Sequence, residues 1–165
     1  MTIEERLQRL EDDRAIRDLK ARYLRACDAK DPDTVRDCLR PDAVIRYDGF
    51  PEFTNRDDFV AIYRQFGCVP GVFDMHHAAN GTLAFESPDR VKGQWALTFH
   101  TINLAQRTIT QFGIEYVDTY DRVDGRWWIS VTESHRKSVL VQTVDEAGAM
   151  RVVALGESDA AFGEG

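Results

Sequence analysis

Apolar positions in the first third of the chain recur at helical spacing. Ile16, Leu19, Tyr23 and Cys27 lie three and four residues apart and so share one helix face. Leu7 and Leu10 fall out of phase with that stripe, and Asp12 or Asp13 is placed to cap a fresh start. The spacing therefore predicts a short helix leading into a longer one between Ile3 and about Lys30, ended by Pro32. Pro32 to Leu39 predicts a second short helix, opened by its proline and closed by Pro41-Asp42. Ala43 to Tyr47 reads as a short strand and Asp48 to Pro51 as a loop. Arg56 to Phe66 reads as a third helix with Phe59, Ile62, Tyr63 and Phe66 on one side, ended by the breakers from Gly67 to Gly71.

From Phe73 the period becomes two. Phe73, Met75, His77, Ala79, Leu83 and Phe85 alternate with Asp74, His76, Ala78, Asn80 and Thr82. Val91, Trp95, Leu97 and Phe99 alternate with Lys92, Gln94, Thr98 and His100. Two further strands, Ile109 to Val123 and Arg126 to Val141, are joined by Asp124-Gly125, a hairpin signal. Strands of this length in consecutive hairpins predict a strongly curled antiparallel sheet. Met150 to Leu155 adds a short edge strand, and residues 157–165 are expected to form a disordered tail. Helices first and hairpins after give an α+β class, with a single domain over residues 1–156. Three N-terminal helices covering the open side of a curled sheet enclose a pocket.

Composition narrows what that pocket serves. The 165 residues carry 21 Lys and Arg against 28 Asp and Glu, a net charge of -7, which argues against a nucleic acid or an anionic membrane as partner. No apolar run approaches the ~20 residues of a bilayer span, and the charged N-terminus lacks the apolar stretch of a signal peptide. Cys27, Cys38 and Cys68 form no CxxC, and their odd number fits a reducing compartment, so a cytoplasmic location is expected. GxGxxG, P-loop and GxSxG motifs are all missing. His76 and His77 face opposite ways on a strand, and neither HxH nor HExxH occurs, so neither a metal nor another cofactor is expected.

The candidate chemistry lies on a few faces. His76 shares one with Asp74, Asn80 and Thr82, while Phe112, Ile114 and Tyr116 share one with Asp118 and Tyr120. Asp28 ends the long helix, where a carboxylate opposes the macrodipole, so helix stability does not account for it.

At these positions the chain resembles a known family. The order helix, helix, strand, helix and four long strands carries four local marks: Ala15-Ile-Arg-Asp-Leu-Lys-Ala-Arg-Tyr23 followed by Asp28, Pro41-Asp-Ala-Val44, His76 four residues before Asn80, and Gly125-Arg-Trp-Trp128. Over roughly Glu4 to Val141 this resembles the SnoaL-like branch of the nuclear-transport-factor-2-like superfamily, whose fold is a cone-shaped α+β barrel. Asp28, His76 and Asn80 are similar to the Asp, His and Asn of hexachlorocyclohexane dehydrochlorinase. Asp28, Tyr47, His76 and His100 are similar to the Asp, one pocket Tyr and two His of scytalone dehydratase. Cys27 stands at that enzyme's second pocket tyrosine, and Ile114 and Tyr116 at its serine and asparagine.

The resemblance implies a cofactor-independent lyase or isomerase, foremost a dehydratase, acting on a small hydrophobic cyclic metabolite. Asp28 would orient His76 as general base and Tyr47 and His100 would assist, in a pocket lined by Tyr23, Cys27, Asn80, Phe112, Ile114 and Tyr116. Alternatives within related folds are a non-catalytic ligand-binding protein, the small subunit of a ring-hydroxylating oxygenase, or a polyketide-type cyclase. The apolar convex face of a curled sheet adds the expectation of a homo-oligomer, dimer or trimer.

Overall fold

A computed structural model describes residues 1–157. Helix α1 runs unbroken from Ile3 to Asp28, where the sequence predicts two helices. Its start is a capping box: the Thr2 hydroxyl accepts the Glu5 N–H, and the Glu5 carboxylate accepts the Thr2 N–H. Asp12 caps nothing. It is buried in mid-helix, accepting the Trp127 indole N–H at 2.9 Å and the Arg122 guanidinium at 3.0 Å. Those partners lie on a distant hairpin, so local spacing cannot reveal them.

Helix α2 (Pro32–Cys38) is capped by Asp31, which accepts the Thr34 N–H. The chain then turns extended at once, and strand β1 (Leu39–Tyr47) begins before Pro41. Proline is accommodated there because the pairing register shifts between Leu39 and Val44. Helix α3 (Arg56–Ile62) widens into a π-helical turn, Tyr63–Gly67, which together fill the segment expected as a third helix.

Five more strands follow: β2 (Val72–Ser87), β3 (Arg90–Asn103), β4 (Thr108–Val123), β5 (Arg126–Val144) and β6 (Met150–Gly156). The spatial order is β1-β5-β4-β3-β2, with β6 on β5, in an open six-stranded sheet. The hairpin strands pair antiparallel as expected, but β1 lies parallel to β5, so the sheet is mixed. Apart from Glu157, the tail expected to be disordered lies outside the described residues.

Strand β2 carries a bulge that resets its phase. Pairing with β3 shifts between Ala79 and Thr82, and Asn80 sits at φ 52°. His76 therefore faces inward beside Phe99, and after the bulge Leu83 and Phe85 face inward beside Gly93 and Val91. Simple alternation had put His76 and Leu83 on opposite faces. Gly81, in the bulge, lies so close to Trp95 that a Cβ there would fall 2.2 Å from the ring.

The concave face packs Val91, Trp95, Leu97, Tyr120, Trp127 and Ile129 against Ile16, Leu19, Tyr23 and Leu24 of α1. Within this core lies a buried ion pair, Lys20 Nζ to Asp118 Oδ2 at 2.7 Å, with both side chains almost fully enclosed. Asp118 also accepts the Tyr120 hydroxyl at 2.7 Å, and Tyr120 accepts the Trp95 indole N–H at 3.1 Å. Burial pulls the Lys20 pKa below the usual lysine range, against the attraction of Asp118. None of the described helices is long and apolar enough to cross a membrane.

Candidate active site

Between the concave face, the second half of α1 and the α3 segment lies a cavity of about 360 Å³. Its wall is aromatic: Tyr23 from α1, Tyr47 from β1, Phe59, Tyr63 and Phe66 from the α3 segment, and Phe99, Phe112 and Tyr116 from the sheet. Such a lining suits a flat apolar ligand with a few fixed polar contacts.

His76 reaches the wall from β2, and Asp28 meets it from the end of α1. Asp28 Oδ1 lies 2.6 Å from His76 Nδ1, and the carboxylate also accepts the His76 backbone N–H, at 3.0 and 3.2 Å. Strand β2 is a sheet edge, so this N–H points away from the ladder, and Asp28 satisfies it. With the carboxylate ionised, it can only accept from Nδ1–H, an arrangement that leaves Nε2 as the unprotonated nitrogen. The imidazole is braced by Phe99, 4.7 Å away between ring centres.

A second tie lies two residues from each member of this pair, after Asp28 and before His76. Lys30 donates to Asp74 Oδ2 at 2.9 Å and to the Gly67 carbonyl at 2.8 Å, while the Tyr63 hydroxyl donates to the Cys27 carbonyl at 2.8 Å. The π-helical turn is thereby fixed to the same helix end and strand that hold Asp28 and His76.

The tyrosines form a second polar group. The hydroxyls of Tyr23 and Tyr47 lie 2.7 Å apart, and that of Tyr47 lies 3.4 Å from Thr132 Oγ1. Burial pushes the phenols of Tyr23, Tyr47 and Tyr116 above the usual range, so they stay protonated and act as hydrogen-bond donors.

Residues 8–133 match the SnoaL-like domain. The chain belongs to the SnoaL-like family. Solved structures of the same fold include LinA, at 22% identity and a TM-score of 0.74, covering 81% of this chain and 90% of that one. A scytalone-dehydratase-like protein of Novosphingobium aromaticivorans matches at 20% identity and a TM-score of 0.74, over 80% of this chain and 88% of that one. The LinA-type3 hexachlorocyclohexane dehydrochlorinase of Novosphingobium barchaimii matches at 21% identity and a TM-score of 0.71, over 79% and 89%.

In this SnoaL-like domain most of the residues singled out from sequence converge. His76, Tyr23, Cys27, Tyr47, Phe112, Ile114 and Tyr116 line the cavity, and Asp28 joins them through His76. Two do not. Strand alternation turns Phe99 inward and His100 outward, in register with Met75 and Gln111, so His100 does not line the cavity. Asn80 occupies the β2 bulge, exposed and off the wall.

The sequence reading also missed several lining residues: Asp48, Phe50 and Phe53 in and after the β1 turn, and Ser134 and Arg136 on β5. Alternation along Thr132, Ser134 and Arg136 was the available signal. It was masked by a β5 register shift at either end of that run. Among the described residues no three metal-ligating side chains cluster.

The cysteines of the SnoaL-like domain give an independent check on the cavity's dryness. Burial pushes the Cys27 thiol up to about 12 and the Cys38 thiol up to about 11. Cys68 is only half-buried. Titration of the native protein with an aromatic disulfide reagent at pH 8 is expected to modify one thiol per chain, at Cys68, and three after unfolding. Rapid modification of Cys27 in the native state would mean an open, wet cavity.

Proposed function

We propose that the protein is a cofactor-independent lyase that uses the Asp28–His76 dyad as general base on a small hydrophobic cyclic metabolite, in a dehydration. The observation that carries this reading is the 2.6 Å contact between Asp28 and His76 Nδ1 at the wall of an aromatic cavity. Asp28 fixes the tautomer and stabilises the imidazolium that forms. His76 Nε2 takes a proton from carbon beside a carbonyl, the C–H pair becomes the new C=C bond, and the C–O bond breaks toward the departing hydroxyl. Tyr47, a protonated phenol, donates to the carbonyl or the departing oxygen. That hydroxyl leaves as water, with the proton that His76 took. His100 has no part in the scheme, because its strand position turns it away from the cavity. Elimination is also the reaction named for two of the structural relatives, a dehydrochlorinase and a dehydratase-like protein.

The test needs no knowledge of the natural substrate. Ring opening of 5-nitrobenzisoxazole requires only a base and an apolar site: the C–H proton leaves, the N–O bond breaks, and a coloured cyanophenolate forms. Saturable turnover by the wild-type protein, lost in His76→Ala with the circular dichroism unchanged, is the expected result. Equal rates in wild type and His76→Ala would overturn the reading.

We further read the convex face as a contact between copies of the chain. Met75, His100, Gln111, Leu140 and Leu155 form one row across five strands, and Phe73, Met75 and Leu155 are exposed. Light scattering on the purified protein is expected to give two or three times the chain mass of 18.8 kDa. A monomer at micromolar concentration would contradict this.

A further inference from the structure

We infer that Lys30 and Asp74 are positioning residues, a second ion pair of reversed polarity that sets the register of the α1 end against strand β2 and so seats Asp28 on His76. The inference rests on reading Asp28 and His76 as the working base and adds to it what holds the two in place.

Helix α1 ends in a Schellman turn. The Asp31 N–H donates to the Ala26 carbonyl at 2.9 Å, and the Lys30 N–H donates to the Cys27 carbonyl at 3.2 Å. Lys30 thereby sits at φ 55°, in the left-handed region where glycine is the usual residue. A lysine held there carries backbone strain, and its side chain shows what the strain serves. The ammonium donates to Asp74 Oδ2 at 2.9 Å and to the Gly67 carbonyl at 2.8 Å. The pair is mostly enclosed, with the Lys30 and Asp74 side chains 21% and 14% exposed.

The backbone of β2 alone does not choose a seat for Asp28. The strand is a sheet edge, paired with β3 in unbroken register from Val72 to Ala79. Alternate residues of such an edge turn their N–H groups outward, so Asp74 and Ala78 offer Asp28 the same donor that His76 does. Charge decides between them. Asp28 and Lys30 follow each other at the helix end, and Asp74 and His76 follow each other on the strand, in the opposite direction. One step toward Asp74 would bring two carboxylates together and set Lys30 against Val72. One step the other way would set Asp28 against Ala78 and Lys30 against His76. Such mismatches cost more in an enclosed site than in water. The observed register is the one that pairs both carboxylates. Neither Lys30 nor Asp74 lines the cavity, so the pair acts on a substrate through Asp28 and His76.

The experiment follows the His76 ring by long-range proton–nitrogen correlation on the ¹⁵N-labelled full chain, beside turnover of 5-nitrobenzisoxazole, in Lys30→Gly and Asp74→Ala. Glycine suits the left-handed position, so Lys30→Gly keeps the helix end and removes the ammonium. Asp74→Ala keeps the Lys30 bond to Gly67 and removes the strand-side partner. In both variants the ring is expected to lose its single Nδ1-protonated form. In both, kcat is expected to fall about tenfold to a hundredfold, as misplacement of a reacting group on the order of 1 Å does. In Asp74→Ala, KM should stay within about twofold of wild type. A ring pattern altered in both variants upholds the inference even where the wild type opens no 5-nitrobenzisoxazole. Turnover lost in His76→Ala yet unchanged in Asp74→Ala overturns it and leaves the proposed function standing. A loss confined to Lys30→Gly and to KM also overturns it, by making Lys30 a support of the cavity wall, as does a wild-type ring that carries no Nδ1 proton.

Discussion

Asp28→Asn is expected to lower turnover of 5-nitrobenzisoxazole by about 10²–10⁴-fold, the usual contribution of a positioned general base. The amide that replaces the carboxylate has the same shape and still accepts the His76 backbone N–H, so the fold should persist. What changes is the ring. The amide offers a donor as well as an acceptor and no negative charge, so Nδ1–H is no longer enforced and the imidazolium loses its stabilising partner. Loss in Asp28→Asn comparable to that in His76→Ala would mean that the two act as one unit. Full activity in Asp28→Asn would reduce Asp28 to a cap on an edge-strand amide. The loss should appear in kcat more than in KM, because Asp28 does not line the cavity.

The second large effect concerns the core. Lys20→Met is expected to destabilise the fold by about 3–5 kcal/mol, because it leaves Asp118 charged and unpaired in a site from which water is excluded. Adding Asp118→Asn should recover most of that loss. The asparagine oxygen still accepts the Tyr120 hydroxyl, which holds Trp95, while the charge that required Lys20 is gone. Urea unfolding of both variants beside the wild type checks this through the midpoint at constant slope. A single variant as stable as the wild type would show that water reaches the pair. The double variant remaining as unstable as the single would place the loss elsewhere, in the ammonium lying 3.8 Å over the Tyr116 ring.

What the sequence revealed of this fold was its local periodicity. The Ile16–Cys27 stripe, the third-helix stripe from Phe59 to Phe66 and the four long strands all follow from spacing, because neighbours along the chain share the same face. Features set by distant partners were hidden. Asp12 looks like a cap until Trp127 and Arg122 are folded over it, and the parallel pairing of β1 with β5 has no local signature. The bulge at Asn80 shows how one residue alters a functional reading: it takes Asn80 off the wall and restores Leu83 to the face of His76.

The site was legible to a similar degree. Asp28 drew notice because it opposes the helix dipole, and a partner in space accounts for it: the carboxylate is held by a strand from the other half of the fold. Arg136 escaped notice because it stands between His135 and Lys137, in a polar run whose inward positions alternation alone does not single out. Only the register with Ile114, with the guanidinium over the Phe112 ring, brings the middle one inside.

The central claim is that Asp28 holds His76 in one tautomer, with the bare nitrogen available to a substrate. A long-range proton–nitrogen correlation spectrum of the ¹⁵N-labelled protein reads this directly at the His76 ring. The account predicts a protonated Nδ1 and an unprotonated Nε2 in the wild type, with that pattern lost in Asp28→Asn. A proton residing on Nε2 in the wild type, or a ring spectrum unchanged by Asp28→Asn, would contradict it.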